Sequence, residues 1–299
     1  MIPSVTPLRY PGSKTWLVEY INKFLEFNNM EPEIIAEPYA GSGAVAISLL
    51  KEGKIEKAFL NEKDPMIVAF WKSILSHPDE LIEKIETTEI SLVTWKDFRK
   101  YLAVDAHRKY STVDLGFAFF FFNRTNFSGI LSGGPLGGQR QQSEYSIACR
   151  FKRDYLVEKV RKMGDLRGKI KVYQNDGIHF MRKIQKDLSI REVVYYVDPP
   201  YFKSGRDLYR KWFTEEDHIK LSEFLKSFEY PWLLSYDDSE FIKMLYKESK
   251  SQQIYADYQA WRYKKNVKEL LFSNNVIPPM ILSSEMNQGK VMVDGMNSA

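Results

Sequence analysis

Cysteine is almost absent from this chain: Cys149 is the only one among 299 residues. It cannot close an internal disulfide, and the four histidines are too scattered for a zinc site or a histidine-based triad. No apolar run is long enough to span a membrane, and the opening residues carry no signal-peptide pattern. A strong charge of one sign is also missing. The net charge is +4 and the isoelectric point about 8.8, a mild basic excess that is compatible with nucleic acid without indicating it. No internal repeat is visible. These absences exclude a disulfide scaffold, a zinc module and a membrane protein. The expectation is a soluble cytoplasmic chain with no membrane partner and no metal.

What is present is ordinary globular composition, 44% hydrophobic and 27% charged, with length for one large domain carrying an insertion, or for two domains. Aromatic residues reach 14%. Most of the phenylalanines are expected in the core, whereas tyrosines near Lys and Arg could stack on bases.

The most informative stretch is Val193-Val194-Tyr195-Tyr196-Val197-Asp198-Pro199-Pro200-Tyr201. Its apolar, β-branched and aromatic start reads as a buried parallel strand, and the two prolines end it because neither can donate to a ladder. Asp198 and Tyr201 are thereby delivered at the carboxyl end of a strand, where open α/β sheets bind ligands. An acid, a rigid carbonyl-bearing turn and a ring are together well suited to gripping a planar group that carries an amino substituent.

A second strand end lies earlier. Ile34-Ile35-Ala36 runs into Glu37-Pro38-Tyr39-Ala40-Gly41-Ser42-Gly43-Ala44 and then an apolar helical run. The glycines let backbone approach a ligand, and the helix start offers free amides. The next strand, over 57–61, ends at Glu62, the position from which an acid reaches ribose hydroxyls. No Lys-Ser/Thr follows the glycines, so a phosphate-cradling ATPase is disfavoured. Lys14, at the start of a helix expected over 14–27, is at the wrong end of the helix dipole for a cation. It is either a solvated surface lysine or one held to meet a ligand carboxylate.

Between 66 and 165 the strand–helix alternation stops. Helices are expected over 66–76, 79–86, 95–107 and 112–123, followed by a polar, glycine-rich stretch, 128–146. That stretch, with Gln139, Arg140, Gln141 and Gln142, is either a groove-entering hairpin or lid, or a flexible connector. The region reads as an inserted, mainly helical subdomain. The basic run 150–171 suits phosphate contact or is a solvated face. Further strands are expected over 169–173, ending near Asp176, and over 231–236. A hairpin with a final strand is expected over 262–274, and the loop after Tyr201, with Lys203 and Arg206, borders the proposed site.

Asp198-Pro199-Pro200-Tyr201 resembles the DPPY motif of amino-directed DNA methyltransferases, and Glu37 to Gly43 resembles their cofactor loop. The order Tyr10-Pro11-Gly12-Ser13-Lys14, glycine loop, Asn61-Glu62-Lys63-Asp64-Pro65, Asn123-Arg124, DPPY and Lys268-Glu269-Leu270-Leu271 is similar to that of the Dam-type (class α) DNA adenine-N6 methyltransferases. The resemblance implies a Rossmann-like α/β methyltransferase sheet with helices on both faces. The catalytic domain would comprise 1–65 and 166–299, and the inserted DNA-recognition subdomain 66–165.

The same resemblance implies S-adenosylmethionine held by Tyr10, Lys14, Glu37, Pro38, Tyr39, Gly41, Gly43, Glu62, Asp176 and Asp198. It also implies a flipped adenine held by Asp198, Pro199, Pro200 and Tyr201. Family members often carry Asp at the position of Glu62, and the longer acid still reaches a ribose. Double-stranded DNA is the implied partner, with Asn123, Arg124, Asn126, Phe127, Ser132, Arg140, Lys203 and Arg206 expected at it. The enzyme would be nucleoid-associated while acting, and a cognate restriction endonuclease is left open as a further partner. Ser132 stands where the Dam enzymes use an arginine to read a guanine of GATC, so that site is not implied here. The motifs contain no cysteine, which argues against cytosine ring-carbon methylation. Competing readings are amino methylation of RNA or of protein glutamine, a catalytically inactive DNA-binding relative, and a nicotinamide dehydrogenase.

Overall fold

Each strand that the hydrophobic runs predict lies in one sheet. The computed structural model describes residues 5–9, 13–187, 189–190, 192–203, 212–258 and 265–279. Tyr10 and Arg206, both expected at the site, lie outside them. The strands are β1 (Ile34–Glu37), β2 (Lys57–Asn61), β3 (Ile170–Tyr173), β4 (Val193–Val197), β5 (Trp232–Asp237), β6 (Lys250–Tyr258) and β7 (Lys265–Ser273). Their order is β3-β2-β1-β4-β5-β7-β6. The first five are parallel, and β7 runs antiparallel to both β5 and β6.

The central strands alternate between two cores, as the period of two requires. Ile35, Val194, Tyr196 and Leu233 face one; Ile34, Ala36, Val193, Tyr195 and Val197 face the other. The first face is covered by α1 (Val18–Phe27), α2 (Ala44–Lys51), α3 (Pro65–Ser76), α4 (Pro78–Thr87), α5 (Leu92–Phe98), α6 (Ala106–Lys109), α7 (Thr112–Thr125) and α8 (Arg153–Gly164). The second is covered by α9 (Gly177–Lys186) and the helices Glu215–Lys226 and Glu240–Leu245. Thr214 begins the first of these last two with a reciprocal capping box to Asp217.

The helices of 66–165 share a single core with the sheet: Phe70, Trp71, Phe120 and Leu156 join Ile47, Leu60 and Val194 in one apolar cluster.

Three local expectations change. The helix expected over 95–107 is broken. The chain turns extended at Ala103 (φ −60°, ψ 145°), and the break brings the Tyr101 and Tyr110 rings to 4.5 Å. Strand β6 carries a polar start, Lys250-Ser251-Gln252-Gln253, with no apolar run to announce it; its pairing with β7 defines it. The stretch 128–146 is a series of turns rather than a hairpin. Its one bridge joins Asn126 to Pro135, and Gln141 staples the next turn, donating to the Leu136 and Gly138 carbonyls and accepting from the Ile147 amide.

Candidate active site

The strand order reverses between β1 and β4, because the chain builds β1, β2 and β3 to one side and returns to place β4 on the other. A crevice opens at such a reversal, outside the carboxyl ends of the strands. Here it is a cleft whose lining includes Lys14, Glu37, Pro38, Tyr39, Glu62, Asp176, Asp198 and Pro200.

Its floor is the turn after β1. Gly41 and Gly43 have φ of 47° and 59°, the left-handed region that glycine enters without strain. A Cβ on Gly43 would come within 3.0–3.2 Å of Leu60 and Ile47 side-chain atoms. The turn is fixed from below by Trp71, whose indole donates to the Gly41 carbonyl at 3.1 Å. Glu37 is buried, and its Oε1 accepts from the Ala46 amide at 2.7 Å, capping α2 from the neighbouring strand. Burial, reinforced by the charge of Asp198, pushes its carboxyl up to about 8.

Glu62, just past β2, is gripped by three amides. Lys63 and Asp64 donate to Oε1 at 2.8 and 3.3 Å, and Gly41 donates to Oε2 at 3.2 Å. Desolvation and the nearby Asp64 still raise it to about 7. Asp176 accepts from the Ile178 amide to cap α9 and pairs with Lys63 at 3.3 Å.

At the end of β4, both oxygens of Asp198 have donors. Ser235 donates to Oδ1 at 2.7 Å, and the Lys14 ammonium lies 3.2 Å from Oδ2. Ser235 has a single hydroxyl hydrogen, so Tyr196, 2.9 Å away, donates to Ser235. Lys14 is 4% exposed and lies 4.8 Å from the Tyr201 ring centroid. It is therefore not a solvated surface lysine; the carboxylates it meets are the chain's own Asp198 and, at 3.7 Å, Glu269. Tyr201 packs beside Tyr236 at 6.2 Å. Behind Tyr236 sits buried His218, whose Nδ1 is 2.8 Å from the Tyr236 hydroxyl. Burial lowers this histidine to about 4, so it is neutral near pH 7.

The residues expected at DNA divide. Asn123 and Asn126 are completely buried, and their amides are used inside the protein. Asn123 accepts from the Arg9 amide at 2.8 Å and donates to the Arg9 carbonyl at 2.6 Å. Asn126 accepts from Trp95 at 2.7 Å and donates to the carbonyls of Ile130 and Leu131 at 2.8 and 3.2 Å. Both are corrected from DNA contacts to loop anchors, because a buried amide without partners is costly and these have them. Arg124 is buried against the Phe120 ring. Desolvation, with Arg9 and Arg150 nearby, lowers it to about 10. Lys203 donates to the Asp238 carbonyl, and its backbone amide binds Asp237 at 2.8 Å. Phe127, Ser132 and Arg140 are exposed, Phe127 by 44%.

Sequence reasoning gave no role to several residues of the site, although Asn61 and Glu269 stand in the motif blocks. Asn61 ties three strand ends together: it donates to the carbonyls of Pro38 and Asn175 and accepts from the Asn175 amide. Gly177 must lack a side chain, since a Cβ would come within 2.3–2.5 Å of the Tyr39 ring. Ser235 and Glu269 lie on β5 and β7, far from any motif except the Lys268-Glu269 pair. Only the position of Asn61 and Gly177 beside motif acids could have marked them.

The lining carries five carboxyl groups (Glu37, Glu62, Asp64, Asp176 and Asp198), two of them with raised pKa, against two ammonium groups, Lys14 and Lys63. A cationic ligand suits such a cleft. Among the described residues no His/Cys/Asp/Glu group is arranged to hold a metal ion, and no helix is long and apolar enough to cross a membrane.

Residues 10–261 match the family described as D12 class N6 adenine-specific DNA methyltransferase. No curated protein matches the chain. Solved structures to which the chain is similar include the rRNA methyltransferase aviRa from Streptomyces viridochromogenes. That match has 12% identity, covers 89% of this chain and 87% of that one, and has a TM-score of 0.41. Spermidine synthase from Thermotoga maritima is another, with 13% identity, covering 92% and 58%, at a TM-score of 0.32.

Proposed function

The chain belongs to the D12 class N6 adenine-specific DNA methyltransferase family, and on that premise we propose a sequence-specific enzyme that methylates the N6 amine of an adenine flipped out of double-stranded DNA. The cofactor is S-adenosylmethionine, which supplies an activated sulfonium methyl when bound. Gly41, Gly43 and Glu62 fit its nucleoside half, and the acid excess of the cleft fits its positive charge.

The observation that carries the reading is the end of β4. The Asp198 carboxylate, which lines the cleft, is fixed by Lys14 and Ser235 and is followed in the chain by the Pro199 carbonyl and the Tyr201 ring. Adenine's exocyclic nitrogen is a weak nucleophile because its lone pair is delocalised into the ring. If its two N–H groups donate to Asp198 and to the Pro199 carbonyl, the nitrogen is drawn toward tetrahedral geometry and the lone pair is freed. Tyr201 would stack on the extruded base, worth roughly 1–3 kcal/mol. The rest is positioning in a partly desolvated site. No covalent intermediate is required, which agrees with motifs that contain no cysteine.

The region 66–165 is proposed as the DNA-recognition part. Phe127 projects from a loop whose backbone is pinned by the Asn126 side chain and by the Phe127 amide bond to Gly134, the arrangement an apolar wedge at a base step requires. Arg140 and Ser132 are exposed on the stretch that follows.

Incubation with labelled cofactor and unmethylated genomic DNA, followed by sequencing for modified adenine, tests this. Label in N6-methyladenine at one short recurring sequence is expected. Label confined to RNA, to protein or to cytosine overturns the reading.

A further inference from the structure

Glu269 is 0% exposed. It lies in β7, paired with Asp237 of β5, so its carboxylate is surrounded by sheet and core. Burying a charge in such a place is unfavourable unless an opposite charge is held next to it. The Lys14 ammonium is that charge, 3.7 Å away, and it is itself almost fully buried. Lys14 comes from the segment before α1, outside the sheet. Its head group stands between Glu269 and Asp198, 3.2 Å from the latter, and also lies over the Tyr201 ring.

We infer that Glu269 is a positioning residue for methyl transfer: it fixes the Lys14 ammonium, which in turn fixes the orientation of the Asp198 carboxylate and its place against Tyr201. The inference rests on the reading of Asp198 as the acceptor of the adenine amine. The geometry supplies the reason. A carboxylate at the end of a strand can rotate about its last bond. Two donors on different oxygens, Ser235 on Oδ1 and Lys14 on Oδ2, stop that rotation. Ser235 is fixed by β5. A flexible lysine needs a second anchor to be equally fixed, and Glu269 provides it from the rigid sheet.

A double-mutant cycle tests this. Lys14→Met, Glu269→Gln and the double variant are compared for kcat. Cofactor binding is followed by calorimetry and binding of an adenine-containing duplex by fluorescence anisotropy. Because a displaced reacting group can lose as much as about 100-fold, Glu269→Gln should lower kcat about 10-fold with both dissociation constants within about threefold, and Lys14→Met should lower kcat more. In the Lys14→Met background, Glu269→Gln should change kcat by less than about twofold, since its effect passes through the lysine. Multiplicative effects in the double variant overturn the inference, as does a folded Glu269→Gln protein with full kcat. Should Glu269→Gln fail to fold, Glu269→Asp, which keeps the charge and shortens its reach, takes its place in the same cycle. Asp198→Ala separates the two claims. Retained turnover there removes the parent reading, whereas an inactive Asp198→Ala beside a fully active Glu269→Gln removes only the role of Glu269.

Discussion

The cleft at the strand ends and the loop that follows α7 both carry sequence motifs, but they use them in opposite ways. In the cleft the motif acids Glu37, Glu62, Asp176 and Asp198 line the ligand space, while Ser235 holds the Asp198 carboxylate and Asn61 ties the backbone at the strand ends. Around the loop the amides of Asn123, near the end of α7, and Asn126 are the hidden supports, and residues beyond them such as Phe127 are presented. A polar residue in a motif is therefore not by itself a contact residue. Carboxylates at parallel strand ends have no backbone donors in the sheet to satisfy them, so they face a crevice. Asparagines at the end of a buried helix meet loose carbonyls at once and are consumed by them.

Substitutions on each side can break this comparison. The largest effect is expected at Asp198. Asp198→Ala should abolish detectable methyl transfer, a loss of at least about 1,000-fold on the scale of removed transition-state contacts, while cofactor binding weakens by about 10-fold or less. Filter-bound label and calorimetry measure the two. Asn123→Ala removes buried bonds to Arg9 and Gly129, so it should act first on folding. A loss of about 2 kcal/mol in denaturant unfolding is expected, the range for unsatisfied buried partners. A wild-type midpoint with a selective loss of DNA affinity would return Asn123 to the DNA surface. Phe127→Ala should do the reverse: unchanged unfolding and cofactor affinity, but duplex binding weaker by about 10-fold, the lower part of the stacking range.

The smallest effect is graded with pH. Folded Glu37 and Glu62 titrate near 8 and 7, above the ordinary carboxyl value of 4.5. The folded chain then holds protons that the unfolded chain has released, so the ligand-free protein should lose stability as pH rises from about 5 to 8. A cationic cofactor favours the ionised carboxylates. Its affinity should rise several-fold between about pH 6 and 8, with proton release visible as a buffer-dependent binding enthalpy. Glu62→Gln should flatten part of that rise.

The sequence by itself determined the parallel strands and their tips, because an apolar run ended by Gly-Ser-Gly or Pro-Pro carries its own start and stop. It also determined which acids would face the cleft, since position at the end of a β1- or β4-type strand is a local property. Only tertiary structure decided the rest. Strand β6 exists because β7 pairs with it. The helices of 66–165 join the main core because Phe70, Trp71 and Phe120 pack against the sheet side. Lys14 turned from a surface candidate into the buried partner of Asp198 and Glu269 because three distant segments, the first loop, the end of β4 and β7, meet there. Hydrophobic period and turn chemistry act over a few residues and can be read from the chain. The partner of a buried charge or amide is chosen by which segments the sheet brings together, and no local pattern records that choice.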